Sequence, residues 1–249
     1  MAGHSKWANI RFRKGAQDAK RGKIFTKLVR EITQAARDGG GELDTNPRLR
    51  MVVDKALRAN MTKDSIQRAI DKACGNLEGV SYSECLYEGY APGGIAVMVS
   101  CLTDNKNRTV AEVRHAFSKA GGAMGADGSV AFLFRKVGLI EGALDVSEEQ
   151  AFELFIDLGA SEFEKNSNGN WVIETEVPNL QTLTQALIAK EMSIESAEIA
   201  YLPNQVVRID DEEQALKVMK FIDRLEDLDD VQHVFGNYEF EQSLLEKLA

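Results

Sequence analysis

The first fourteen residues hold Lys6, Trp7, Arg11, Phe12, Arg13 and Lys14, cations interleaved with aromatic rings, and no carboxylate precedes Asp18. Lysine and arginine neutralise phosphates, and aromatic faces stack on unpaired bases, so these residue types in this order suit a nucleic acid. The same rings also suit packing on a helical core, and the segment alone does not decide between the two uses. Lys20, Arg21, Lys23, Lys27, Arg30 and Arg37 continue the series. On a helical wheel Lys20, Lys23, Lys27, Arg30 and Arg37 share one side, opposite Ile24, Phe25, Leu28, Val29, Ile32, Ala35 and Ala36. Like charges one turn apart repel, so a stripe of cations points to an anionic partner rather than to a face that meets only water. The binding residues expected from sequence are thus Lys6, Trp7, Arg11, Phe12, Arg13, Lys14, Lys20, Arg21, Lys23, Lys27 and Arg30. Changing Lys23, Lys27 and Arg30 together to Glu is expected to leave the fold intact, because the apolar side is untouched.

Other chemistry is sparse. His4, His115 and His233 have no partner at metal-ligand spacing, and Cys74, Cys85 and Cys101 form no C-x-x-C pair. The cysteines read as small buried hydrophobes. Gly39–Gly41, Pro92-Gly93-Gly94, Gly121-Gly122 and Gly125–Gly128 fit no phosphate-binding fingerprint. No nucleophile signature is present, so no catalytic residue, cofactor or metal is expected. Asp104 to Thr109 precedes a helix that Asn107 or Thr109 can cap, and Lys106 and Arg108 beside its open amides suit an anion. Glu226, Asp227, Asp229 and Asp230 form an acidic run at a helix C-terminus, where the dipole disfavours it. It reads as a solvated turn, with a cation or basic partner as the alternative.

The elements that must position these residues fall into two regimes. Residues 22–38 keep a helical period and stop at Gly39-Gly40-Gly41; Asn46-Pro47 and Thr62 open two further helices that end near Asn60 and Gly75. From about residue 80, strands alternate with helices. Strands are expected near 84–90, 95–102, 130–135, 137–141, 162–166, 171–175, 194–201, 205–209 and 231–236, and helices near 109–120, 147–158, 179–191 and 211–226. Residues 137–201 give β-α-β-β-α-β, a ferredoxin-like unit. The expected class is multi-domain α+β: a three-helix domain followed by two ferredoxin-like α+β domains, one inserted in the other. The boundaries are 1–78 for the basic helical domain, 79–135 plus 204–249 for the discontinuous domain, and 136–203 for the insert. A protease is expected to cut near 75–82 and release a helical fragment; cuts confined to 22–74 would overturn that division.

Charge follows the same division. Of 249 residues, 1–72 hold 17 Lys/Arg and 8 Asp/Glu, a net of +9, while 73–249 hold 13 Lys/Arg and 31 Asp/Glu, a net of −18. The whole-chain charge of −9 conceals a polyanion-facing end and an acidic remainder suited to basic protein surfaces. No apolar stretch suits a membrane span and the N-terminus is not that of a signal peptide, so a cytoplasmic location without membrane contact is expected.

Several longer motifs resemble the YebC/PmpR family. They are Gly3-His4-Ser5-Lys6-Trp7-Ala8-Asn9-Ile10, Asp18-Ala19-Lys20-Arg21-Gly22-Lys23-Ile24-Phe25, Asn46-Pro47-Arg48-Leu49-Arg50, Tyr87-Glu88-Gly89-Tyr90, Asn107-Arg108-Thr109-Val110-Ala111-Glu112-Val113-Arg114, Gly128-Ser129-Val130-Ala131 and Leu228-Asp229-Asp230-Val231-Gln232. The resemblance implies a three-domain, non-enzymatic cytoplasmic protein and a DNA-binding transcriptional regulator. Mitochondrial relatives act as translational activators and bacterial members are linked to translating ribosomes, so an RNA- or ribosome-binding translation factor is the alternative it implies.

Overall fold

Asn46 organises the first turn between helices. Its buried side chain accepts from the Leu49 amide at 3.0 Å, capping the second helix, and donates at 2.7 Å to the Ala35 and Gly40 carbonyls that end the first. Pro47 follows at the first helical position, where its missing N–H costs nothing. The computed structural model describes residues 21–75, 81–166, 168–241 and 244, and only the backbone of Arg21 and Gly22. Its first helices are α1 (Arg21–Gly39), α2 (Pro47–Arg58) and α3 (Lys63–Cys74), the last capped by Thr62. Leu28, Ile32, Ala35 and Ala36 of α1 close a core with Leu49, Val53 and Ala56 of α2 and Ile66, Ala69, Ile70 and Ala73 of α3. The apolar faces thus pack together as their spacing requires, which turns the Lys23/Lys27/Arg30 side of α1 outward from the bundle. The expected cleavage region 75–82 lies mostly outside the described residues.

The chain divides into two compact units, one of residues 135–202 and one holding the described residues of 8–134 and 203–249. In the second unit the helices precede a sheet with strand order β3-β1-β2-β9. It is made of β1 (Ser83–Ala91), β2 (Ile95–Thr103), β3 (Ala123–Met124) and β9 (Val231–Gly236), with antiparallel neighbours throughout. Helices α4 (Lys106–Lys119) and α7 (Glu212–Glu226) bury Val113, Ala116, Phe117, Val218, Phe221 and Ile222 in one core with Val97, Val99 and Val234. A parallel pair, β8 (Val207–Ile209) with β10 (Tyr238–Phe240), completes it. Unit 135–202 runs β4 (Phe134–Ala143), α5 (Glu148–Asp157), β5 (Glu162–Lys165), β6 (Trp171–Thr175), α6 (Leu180–Ala189) and β7 (Ser193–Pro203). Its strand order β5-β6-β4-β7 is that of the expected ferredoxin-like β-α-β-β-α-β unit. Phe155 anchors its core, edge-on to Phe163 at 5.1 Å and to Trp171 at 5.2 Å. The fold class is the α+β arrangement the sequence implies.

Three local expectations fail. The apolar run at 130–135 is not a strand: Ala131–Leu133 is a 3-10 turn, and a single strand, β4, covers what was expected as the end of one strand and the whole of the next. Asn105, not Asn107 or Thr109, caps α4, accepting from the Arg108 amide at 3.1 Å. Cys74 is exposed, whereas Cys101 is buried as expected; all three thiols are free. Among the described residues no helix is long and apolar enough to cross a membrane, and no His/Cys/Asp/Glu cluster can hold a metal.

Candidate nucleic-acid interface

The cation stripe of α1 is engaged. Lys27 Nζ donates to the Glu226 carbonyl at 2.8 Å, and Lys23 Nζ donates to the Asp227 carbonyl at 3.0 Å. Lys23 also lies 3.3 Å from the Asp227 carboxylate. Arg30 donates to the Asp229 carbonyl at 2.8 Å and to the Asp230 carboxylate, and its guanidinium stands 5.7 Å over the Tyr82 ring. Glu226 and Asp227 end α7, where the last carbonyls have no partner within the helix and the dipole is negative. Three cations one turn apart on α1 therefore cap the C-terminus of α7 from about two hundred residues away in the chain. The 226–230 run is not the solvated turn expected; the basic partner is this chain's own first helix. Burial lowers the Lys27 pKa, with the Glu226 charge opposing it. Replacing the three cations by Glu would set like charges against this turn, so the change removes this contact as well as the charge that the sequence assigned to a partner.

Asp230 is the centre of the contact. Its side chain is 1% exposed. It accepts from Thr109 Oγ1 at 2.7 Å, Thr103 Oγ1 at 3.1 Å and Arg108 Nη2 at 2.7 Å, besides Arg30. Burial pushes the Asp230 carboxyl up, but hydrogen bonds from Thr109, Arg108 and Arg30 outweigh it and hold the pKa below the ordinary value. Arg108 also pairs with Asp104 at 2.8 Å, which occupies the cation expected to make an anion-friendly spot at the start of α4.

Four of the motifs noticed along the sequence meet in two pairs. Arg108 and Thr109 of one reach Asp230 of another. Glu88 of the Tyr87–Tyr90 motif accepts from the backbone amides of Gly128, Val130 and Ala131, each at 2.8 Å. Gly89 beside it has no room for a side chain, since a Cβ would stand 2.6 Å from both the Ala123 carbonyl and the Phe117 ring. These motifs are joints of the fold.

Residues 5–76 match the TACO1/YebC protein N-terminal domain, and residues 82–238 match the TACO1/YebC second and third domain. The chain belongs to the TACO1/YebC family. It is 53% identical over 249 residues to a "Probable transcriptional regulatory protein" of Methylococcus capsulatus, covering 100% of each chain. A protein of the same name from Nitrosococcus oceani is 52% identical over 249 residues with the same coverage. The crystal structure of a conserved hypothetical protein from Aquifex aeolicus superposes with a TM-score of 0.82 at 47% identity, covering 92% of this chain and 94% of that one.

Of the site residues expected in this TACO1/YebC chain, Lys23, Lys27 and Arg30 come together on one stripe against the acidic turn. Lys6, Trp7, Arg11, Phe12, Arg13, Lys14 and Lys20 lie outside the described residues, as does the side chain of Arg21. Sequence reading passed over Arg58, Lys63, Arg68 and Lys72. They stand exposed on α2 and α3 with no ion pair among the described residues. The available signal was the +9 charge of residues 1–72, to which these four contribute.

Proposed function

We propose that this chain is a regulator of gene expression that binds nucleic acid through its basic N-terminal domain, with DNA as the target, a reading in keeping with relatives named probable transcriptional regulatory proteins. The observation that carries the reading is the segregation of charge: a net +9 over residues 1–72 in a chain of net −9. A polyanion is attracted to that end and repelled by the rest. Lys6, Arg11, Arg13, Lys14, Lys20 and Arg21 supply phosphate contacts, together with Lys23, Lys27 and Arg30. Trp7 and Phe12 supply stacking surface, which favours an unpaired strand and keeps an RNA target as the competing reading. The acidic domains face basic protein surfaces.

Changing Lys6, Arg11, Arg13 and Lys14 together to Glu is expected to weaken binding and to flatten the salt dependence by about one unit per lost phosphate contact. Changing Trp7 to Ala is expected to cost roughly 1–3 kcal/mol on a single strand while the salt slope stays put. Fluorescence anisotropy on duplex and single-stranded probes reads both. Affinity unmoved by the quadruple variant at every salt concentration rejects the arm as the contact. Crosslinking in cells, with bound DNA and RNA sequenced in parallel, separates the targets: promoter enrichment supports transcription, and messenger or ribosomal RNA enrichment supports translation.

A further inference from the structure

The stripe proposed to meet phosphates is already held by a row of oxygens. Lys23, Lys27 and Arg30 receive the Glu226, Asp227 and Asp229 carbonyls together with the carboxylates of Asp227 and Asp230. We propose that the acidic turn 226–230 is an internal competitor for the nucleic-acid-binding stripe, so that a polyanion and the turn occupy α1 in alternation. This rests on the nucleic-acid reading above and adds its regulation.

Chemistry and packing both support alternation. The donors that Lys23, Lys27 and Arg30 place on the turn are ones a phosphate would otherwise take, and the carboxylates of Asp227 and Asp230 offset the charge a polyanion would meet, so the turn and a polyanion compete for the stripe. Arg30 has less room to share than Lys23, because its side chain is only 14% exposed against 43% and its partner Asp230 only 1%. Release is affordable to the fold because the two sides keep separate cores. Leu28, Ile32 and their neighbours form one cluster, and Val97, Phe117, Phe221 and theirs another, with no buried residue common to both. Polar contacts tie α1 and α2 to the sheet among the described residues: the three α1 cations on the turn, Arg30 also on the Leu102 carbonyl and over the Tyr82 ring, and Arg48 on Glu84. Opening therefore exchanges polar contacts for phosphate contacts and leaves both apolar cores closed. The exposed cations Arg58, Lys63, Arg68 and Lys72 remain able to attract the polyanion while the turn is still in place.

The test uses the full chain and a random-sequence 20-nucleotide probe, once as a single strand and once as a duplex. Hydrogen exchange of the parent is followed with and without saturating probe. Binding is expected to raise exchange at 226–230; protection of that turn unchanged at saturation overturns the competition. Affinity is then compared among the parent, the D227N/D229N double variant and an E212Q/E213Q control. Both variants remove two negative charges from α7 and its ends, but the control does so at the far end, so general repulsion changes equally. D227N/D229N keeps Asp230 and is expected to bind about three- to tenfold tighter than the control. Equal affinity of the two variants, with the parent binding measurably, overturns the competition and leaves the nucleic-acid reading intact. No binding by parent or variants at low salt overturns the nucleic-acid reading itself.

Discussion

Replacing Asp230 by Ala is expected to lower the unfolding free energy by about 3–5 kcal/mol, the range for removing one partner from a buried ion pair. The loss leaves Arg30 without its carboxylate and Arg108 without one of its two, and it strips an acceptor from Thr103 and Thr109. In a chain of this size that is a fall in Tm of roughly 6–20 °C, readable by calorimetry. Acid should produce part of the effect without mutation. The folded-state pKa of Asp230 is the depressed one, so the stability it contributes is complete above the ordinary aspartate value of about 3.9 and is lost as the pH falls through the folded value. The gap in Tm between the parent and D230N is thus wide at pH 7 and closes as the pH drops below about 4. A gap of constant width down to pH 2 would falsify the role assigned to the ionised carboxylate.

Glu88 is expected to be the second most costly carboxylate to lose. It is 6% exposed and takes three backbone amides, those of Gly128, Val130 and Ala131. Burial alone would raise its pKa, yet these three donors hold it below the ordinary value. Glu88→Ala leaves the three amides without their acceptor in a partly buried loop, at a cost of about 3–5 kcal/mol if each charge-assisted bond is worth about 1.5–3 kcal/mol and the three are not fully additive. Glu88→Gln keeps the shape but offers one oxygen where the parent offers two, so it should fall between. Denaturant midpoints give the cost. Amide exchange at 128–131 tells whether the loop is what loosened; unchanged protection there in Glu88→Ala would remove the assignment even if the midpoint moved.

The same carboxylate explains where sequence reading failed. Val130-Ala131-Phe132-Leu133-Phe134 is an apolar run with strand composition, and local pattern reads it as a strand. Glu88, some forty residues earlier, takes the amides of 130 and 131, so that backbone turns instead of joining a ladder. The helices were legible because their signals are local: Asn46-Pro47, Thr62 and the Gly39-Gly40-Gly41 stop all lie within a turn of the ends they define. The cation stripe was legible as a stripe. Its occupant was not, because the oxygens it meets are about two hundred positions away, and the repulsion argument asked only for an anion without saying whose. The acidic run posed the matching puzzle from the other side, an unfavourable charge at a helix end, and the two anomalies cancel each other in the folded chain.

That separation sets an order of events during synthesis. Arg30 and Asp230 are 200 residues apart. At about 5–20 residues per second, a ribosome needs roughly 10–40 s to go from one to the other. The three helices complete their own core by residue 75, and they have it long before the turn that covers their cations exists. Each new copy therefore spends its first seconds as a nascent chain with the basic stripe bare, beside the RNA that encodes it and the RNA that is making it.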